Sequence, residues 1–195
     1  MNLLGHLRTV HQHRKEVRRI CFRLGLYYQG LTHDLSKYSP SEFWIGVRYY
    51  QGTQSPNNAE RKAKGYSAAW LHHKGRNKHH FEYWQDYSSQ IKGGFAPVHM
   101  PPRYLAEMYC DRVAASKIYN GKNYNDDFPL KYFLKSKELP VIEEQTKRDI
   151  EILLRMLSIK GEESTEQYIR TEVLKHHPGA MLAEYLYNRR KSQER

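Results

Sequence analysis

The segment QGLTHDLSKYSPSEF, residues 29–43, decides how this chain is read. At its centre His33 and Asp34 stand side by side, and Lys37 follows about one turn later. An imidazole nitrogen and a carboxylate oxygen on adjacent residues can both reach one divalent cation. Such a mixed N/O donor set suits Mn, Fe, Ni, Co or Zn, with Mg admissible, better than thiolate-seeking Cu(I). The same dipeptide can also be an ordinary helix-end pair with no ligand role. Its meaning therefore depends on what the flanking chain sends toward it.

Upstream, residues 2–24 read as one amphipathic helix, with Leu3, Leu7, Val10, Val17, Ile20 and Leu24 recurring at steps of three and four. His13 falls on that apolar stripe, so it should point inward, where an imidazole needs either a hydrogen-bonding partner or a metal. Gly25 ends the helix, and residues 26–39 form a second, short one. Ser39-Pro40 breaks it, and residues 41–51 make a third helix rich in aromatics, among them Phe43, Trp44 and Tyr49. Residues 52–65 read as a polar loop with at most one helical turn near 59–63.

Downstream, SAAWLHHKGRNKHHFEYW (residues 67–84) packs His72, His73, His79 and His80, four of the eleven histidines, into nine residues. Gly75 and Asn77 interrupt it, which places one pair at a helix end and the other at the next helix start, so several imidazoles can aim at one point. A solvated His-rich turn is the alternative; the flanking Trp70, Phe81, Tyr83 and Trp84 favour burial. A Gly- and Pro-rich linker at 93–102 precedes a helix beginning near Pro102. Along it Leu105, Met108, Ala115 and Ile118 form an apolar stripe that also carries Asp111. A core-facing carboxylate is costly unless paired or bound to metal, and the adjacent Arg112 cannot face it on a helix.

Beyond a polar turn at 120–127, helices are expected at 128–136, 141–158, 164–176 and 180–191, with Leu153, Leu154 and Leu157 forming a buried face. His176-His177, just before Pro178, reads as a helix-end pair. There is no strand alternation and no repeat. The expected class is all-α.

The formal charge of +11 favours an anionic partner, a phosphorylated small molecule before nucleic acid, although the C-terminal NRRKSQER accounts for part of it as a solvated tail. Aromatics at 13%, with 16 Tyr, supply the buried area that an otherwise polar chain needs to fold. Cys21 and Cys110 form no CxxC and sit in apolar helical patterns, so both read as reduced core thiols of a cytoplasmic protein. The sequence shows neither a signal-peptide pattern nor an apolar run of membrane-spanning length, which leaves no membrane partner.

Taken in order, His13, then His33-Asp34 with Lys37, then the His cluster, then Asp111 resembles the HD-domain superfamily of metal-dependent phosphohydrolases. THDLSKYSP is similar to the HDxGK-xxxP form, with Ser36 where Gly is usual and Lys37 where the lysine sits. HHKGRNKHHFEYW resembles the HHE-type turn of the HD-GYP branch without the GYP itself. CDRVAASKIY resembles the closing helix, led by Asp111, and the run from His13 to Val17 matches the opening H-xxx-V. The resemblance covers residues 2–119, which points to an HD-like helical bundle over 1–119 and an extension of additional helices over 120–195 packed on the same domain. The wording of the motifs looks like a bacterial family within or beside that superfamily.

The resemblance implies that His13, His33, Asp34 and Asp111 hold a first divalent metal. It implies that His73 and His80 bind a second metal or a substrate phosphate, with His72 or His79 nearby as substrate-binding groups. Here the two extra histidines are only seven residues apart, closer than in bimetallic relatives, which leaves open one metal or two and the choice within each HH pair. Lys37 would steady charge developing on a phosphate, and Arg76 and Lys78 would bind the rest of an anionic substrate. The implied activity is hydrolysis of a nucleotide or another phosphoester. Two alternatives are a di-iron oxygenase, a branch of the same superfamily that keeps the HD-x-x-K spacing, and a non-catalytic nucleotide- or nucleic-acid-binding module. An oligomer is compatible with all three.

Overall fold

Asn2 starts the first helix by accepting the Gly5 backbone N–H on its side-chain oxygen at 2.8 Å. Helix α1 (Leu3–Arg23) then buries His6, Val10, His13, Val17, Ile20 and Cys21, the three-four stripe of the sequence. Gly25, at φ 78, turns the chain out of it. The structure, a computed structural model, describes residues 1–89, 94–135 and 141–174.

The segment expected as one short helix is two pieces with a break at the decisive dipeptide. Helix α2 spans Tyr27–Thr32, His33 is extended (φ −47, ψ 126), and Asp34 adopts the left-handed conformation at φ 56 before a 3-10 turn over Leu35–Tyr38. Asp34 is the non-glycine residue with positive φ among those described. Asp tolerates this region better than most residues, but the conformation still costs about 1 kcal/mol.

Helix α3 (Pro40–Tyr49) packs against α4 (Pro56–Lys64) and α5 (Ala68–Lys74). The α4 segment was expected as a loop and is a helix, opened by Pro56 and closed by Gly65 at φ 82. Its buried Glu60 accepts Ser67 Oγ at 2.7 Å and the Ala69 N–H at 3.3 Å, which anchors the start of α5. The linker after the His turn contains a strand: β2 (Phe95–Pro97) pairs antiparallel with β1 (Gln85–Tyr87).

Helix α6 (Pro102–Asn120) runs through the centre, packed on α1 and α8. Helix α7 (Phe128–Leu134) leads to α8 (Glu144–Tyr168), which continues as a π-turn over Ile169–Val173. The expected break between two late helices is a kink at Gly161 (φ 77, ψ 176) inside one run. Val17 and Ile20 of α1, Leu105, Tyr109 and Val113 of α6, Phe133 of α7, and Ile150, Leu153, Leu157 and Ile169 near the C-terminal end form one buried core. The helices after Asn120 therefore share the core of those before it. The last expected helix and the His176-His177 pair lie outside the described residues.

The fold is all-α apart from that hairpin. No helix among the described residues is long and apolar enough to cross a membrane.

Candidate metal centre

Each ligand candidate is delivered by a different local device. His13 comes from the buried face of α1, and Asp111 from α6. The break after Thr32 turns His33 and Asp34 inward together, and Arg14 of α1 pins that break by donating to the carbonyls of His33 at 2.8 Å and Leu31 at 3.1 Å. A helix end is thus capped by a side chain from another helix. The four histidines flank a tight turn, with His73 on the last turn of α5. Asn77 Nδ2 donates to the His73 carbonyl and to Ser36 Oγ, both at 2.8 Å, folding the turn back on itself. That fold is why histidines only seven residues apart reach one point: His73 Nε2 and His80 Nε2 are 2.9 Å apart.

The ligand-type atoms gather in two groups that share Asp34. His13, His33, Asp34 and Asp111 form one, and Asp34, His73, His79 and His80 the other, each with one donor atom per residue all within 4.8 Å of one another. Asp34 divides its two oxygens between them. Its Oδ2 lies 3.5 Å from His13 Nε2 and 3.4 Å from His33 Nε2, while its Oδ1 lies 3.2 Å from His73 Nε2 and 3.4 Å from His79 Nε2. Asp111 Oδ1 is 3.0 Å from His13 Nε2 and 3.5 Å from His33 Nε2.

These short separations are not hydrogen bonds. His13 Nε2, His33 Nε2, His79 Nε2 and both Asp34 oxygens are buried, and none has a hydrogen-bond partner of acceptable geometry. Buried polar atoms left this way are costly. Lone pairs aimed at a common point rather than along one another's N–H directions are what a cation requires, so these residues fit one or two divalent ions. These buried His/Asp clusters, nitrogen-rich and free of thiolate, could hold a metal ion.

Two glutamates that the sequence reading overlooked brace this arrangement. Glu107 Oε1 lies 2.9 Å from His33 Nδ1 and 3.1 Å from His79 Nδ1. Glu42 spans the adjacent pair, Oε1 at 2.6 Å from His72 Nδ1 and Oε2 at 2.8 Å from His73 Nδ1. Glu107 stands one helical turn before Asp111 on the same face, a spacing that could have revealed it. Glu42 follows Ser39 in the S-x-x-E pattern of a capping box, which hides it. Ser39 makes no side-chain cap, and the Glu42 carboxylate turns to the histidines instead.

The electrostatics follow from burial set against close charges. Burial disfavours a charged His33, but Asp34, Asp111 and Glu107 outweigh it and hold its pKa well above the usual value. Burial likewise opposes charge on His73, and Asp34 and Glu42 raise it nonetheless. Burial, reinforced by the charge on neighbouring histidines, lowers His79 and pushes His80 well down. Burial also disfavours ionised Asp34 and Asp111, yet the surrounding cationic and N–H groups keep both well below the normal carboxylate range. Without a bound cation the close carboxylates thus favour a proton on His33 and His73 over one on His79 and His80, and a cation at their Nε2 atoms would take that proton's place.

The remaining candidates separate. Lys37 Nζ lies 2.6 Å from Asp34 Oδ2 and keeps 29% of its side chain exposed. It reaches Asp34 from the 3-10 turn, not along a continuous helix face as expected. His79, expected to contact substrate, instead stands among the ligand atoms, because its Nδ1 edge is held by Glu107. His72 is drawn off by Glu42 and belongs to neither ligand group. Arg76 and Lys78 are not brought to the cluster: both are exposed, Arg76 donating to the His72 carbonyl at 3.3 Å and Lys78 lying 5.7 Å from the Tyr83 and Tyr104 ring centroids.

Fold and site together define an all-α protein built around buried His/carboxylate clusters that could hold metal. The chain belongs to a family of unknown function, DUF5662, whose model matches residues 2–156 and so covers every ligand candidate. No curated protein and no solved structure matches it.

Proposed function

We propose that this chain is a metal-dependent phosphohydrolase acting on a nucleotide or another phosphoester. The observation that carries the reading is Asp34, whose two buried oxygens each face a separate set of imidazoles, Oδ2 also pairing with Lys37 at 2.6 Å. The order of His13, His33-Asp34 and Asp111, similar to that of HD-domain phosphohydrolases, supports it. Divalent cations held there supply Lewis acidity to a phosphoryl oxygen and lower the pKa of bound water.

The chain's own residues contribute the rest. His33, Asp34, His73 and His79 are almost fully buried, whereas Asp111 and Lys37 keep 19% and 29% of their side chains exposed, so the site opens past those two. Lys37 stands at that opening, where its remaining N–H donors can meet charge building on a phosphate. Trp70 packs against the His turn, its ring centroid 4.7 Å from that of His80 and 5.5 Å from that of His73. The net positive charge of the chain favours approach of an anionic phosphorylated substrate.

The test is turnover of p-nitrophenyl phosphate, its bis-ester and a nucleotide panel by protein loaded with Mn, Co, Ni, Fe or Zn. The proposal expects turnover that chelation abolishes and His33→Ala lacks. Metal-loaded wild type without turnover of any phosphoester would remove the hydrolase reading.

One observation favours a second reading. His73, His79 and His80 put three imidazoles beside a single carboxylate, a donor set that also suits redox-active iron. The corresponding activity is that of a di-iron oxygenase. Iron in the isolated protein, with an absorption spectrum that changes on admitting oxygen and no phosphoester turnover, would select it.

A further inference from the structure

Glu107 and Glu42 are buried carboxylates that share one task but serve different parts of the centre. Imidazole carries its two nitrogens on opposite edges, so a group that accepts the Nδ1–H leaves the Nε2 lone pair free and fixes where it points. Glu107 Oε1 is placed to do this for two rings at once, hydrogen-bonded to His33 Nδ1 at 2.9 Å and 3.1 Å from His79 Nδ1, and these rings belong to different ligand groups. His33 lies with His13 and Asp111, and His79 lies with His73 and His80. The rings of His33 and His79 stack with centroids 4.2 Å apart. Their Nδ1 edges meet on one Glu107 oxygen, and their Nε2 edges face opposite oxygens of Asp34. Glu42 holds His73 within one ligand group and His72 outside both.

We infer that Glu107 is a positioning residue that couples the two halves of a dinuclear centre, whereas Glu42 positions a ligand of one half only. The inference rests on the two-metal reading of the site. His33, His79 and Glu107 could together be taken for a third ligand group, but that would use the Nδ1 edges and leave both Nε2 lone pairs buried without partners. A brace accounts for both edges.

The test is Co(II) titration of the metal-free full-length protein, followed by its visible absorption and by elemental analysis, for wild type, Glu107→Gln, Glu107→Ala and Glu42→Gln. Glu107→Gln keeps the side chain's shape and removes its charge, so it stays informative if Glu107→Ala does not fold. The expected result is that Glu107→Gln weakens uptake at both sites by about tenfold or more, the loss typical of an outer-shell partner, while Glu42→Gln weakens one site and leaves the other at wild-type affinity. The Co(II) spectrum of Glu107→Gln should change as well, since the rings it orients are ligands. Unchanged Co(II) affinity and spectrum in Glu107→Gln, with only a lower melting temperature, would make Glu107 plain structure and overturn the inference. Equal effects of Glu107→Gln and Glu42→Gln on both sites would overturn the division of labour. Wild type that binds two Co(II) but hydrolyses nothing leaves the inference standing while removing the hydrolase; wild type that binds none removes both.

Discussion

Asp34 and Glu107 grip the same pair of stacked imidazoles from opposite edges. Glu107 Oε1 takes Nδ1 of His33 and His79 at 2.9 and 3.1 Å, and the two Asp34 oxygens face their Nε2 atoms at 3.4 Å each. Two elements far apart in sequence, the break after α2 and the middle of α6, thereby fix two rings with almost no freedom left. Rigid placement matters because a cation site whose ligands must be ordered on binding loses affinity to that ordering.

Because Asp34 belongs to both ligand groups, its removal should differ from that of any other ligand. Elemental analysis of protein purified without a His tag should find about two divalent ions per chain in wild type and close to none in Asp34→Ala. Asp111→Ala and His80→Ala should each lose the ion on their own side and retain the other. Loss of a single ion in Asp34→Ala would refute the shared carboxylate.

Lys37 permits a sharper separation of binding from chemistry. It is ion-paired to Asp34 but is not itself a metal ligand, and it stands at the exposed edge of the site. Lys37→Met should keep metal content near wild type and lower kcat on a phosphoester by about a hundredfold, the scale for losing one aligned donor to developing charge. If metal and activity fall together, Lys37 is only a counter-charge for Asp34.

Much of the site could be read from the sequence, because burying an ionisable residue on an apolar stripe leaves a visible anomaly. His13 among Val10 and Val17, and Asp111 after Met108, were such anomalies, and the structure brings both to the HD dipeptide. Glu60 and Glu107 show the limit of that reasoning. Helix α4 buries just Ala59 and Glu60, so its polar sequence carries no apolar period, and its anchorage is a carboxylate accepting from Ser67. Glu107 lies on α6 among residues buried on nearly every side, and only its four-residue spacing from Asp111 marks it in the sequence. The left-handed Asp34 was also invisible, since the contact beside it, Arg14 donating to the His33 carbonyl, comes from across the fold on α1. The β hairpin was missed because three-residue strands containing Asp86 and Pro97 show no alternation.

The packing of α1 on α3 gives the fold a pH dependence of its own. Burial, and then the nearby charge of Lys37, lower the His6 pKa from 6.5 to about 4. The unfolded chain therefore takes up this proton first as pH falls. The His6 contribution is fully present above pH 6.5 and is lost as pH drops toward about 4. Urea midpoints measured across that window should fall more steeply for wild type than for His6→Gln. Parallel curves would show that His6 does not titrate differently on folding.

The same contact predicts the effect of one methyl group. His6 stacks at a tilt against Phe43 and edge-on to Tyr50, and a Cβ added at Gly46 would come within 2.2 Å of its Nε2. The ring cannot retreat without disturbing those two neighbours, so Gly46→Ala must part α1 from α3. The expected cost is about 1–3 kcal/mol, the range for overpacking a filled core, seen as a lower urea midpoint with an unchanged slope. Because α1 carries His13 and α3 carries Glu42, the displacement should also weaken Co(II) uptake in protein that is still folded. His6→Ala in the Gly46→Ala background opens the space the new methyl needs. It should recover part of both losses relative to the additive expectation, and strict additivity of the two changes would rule out the clash.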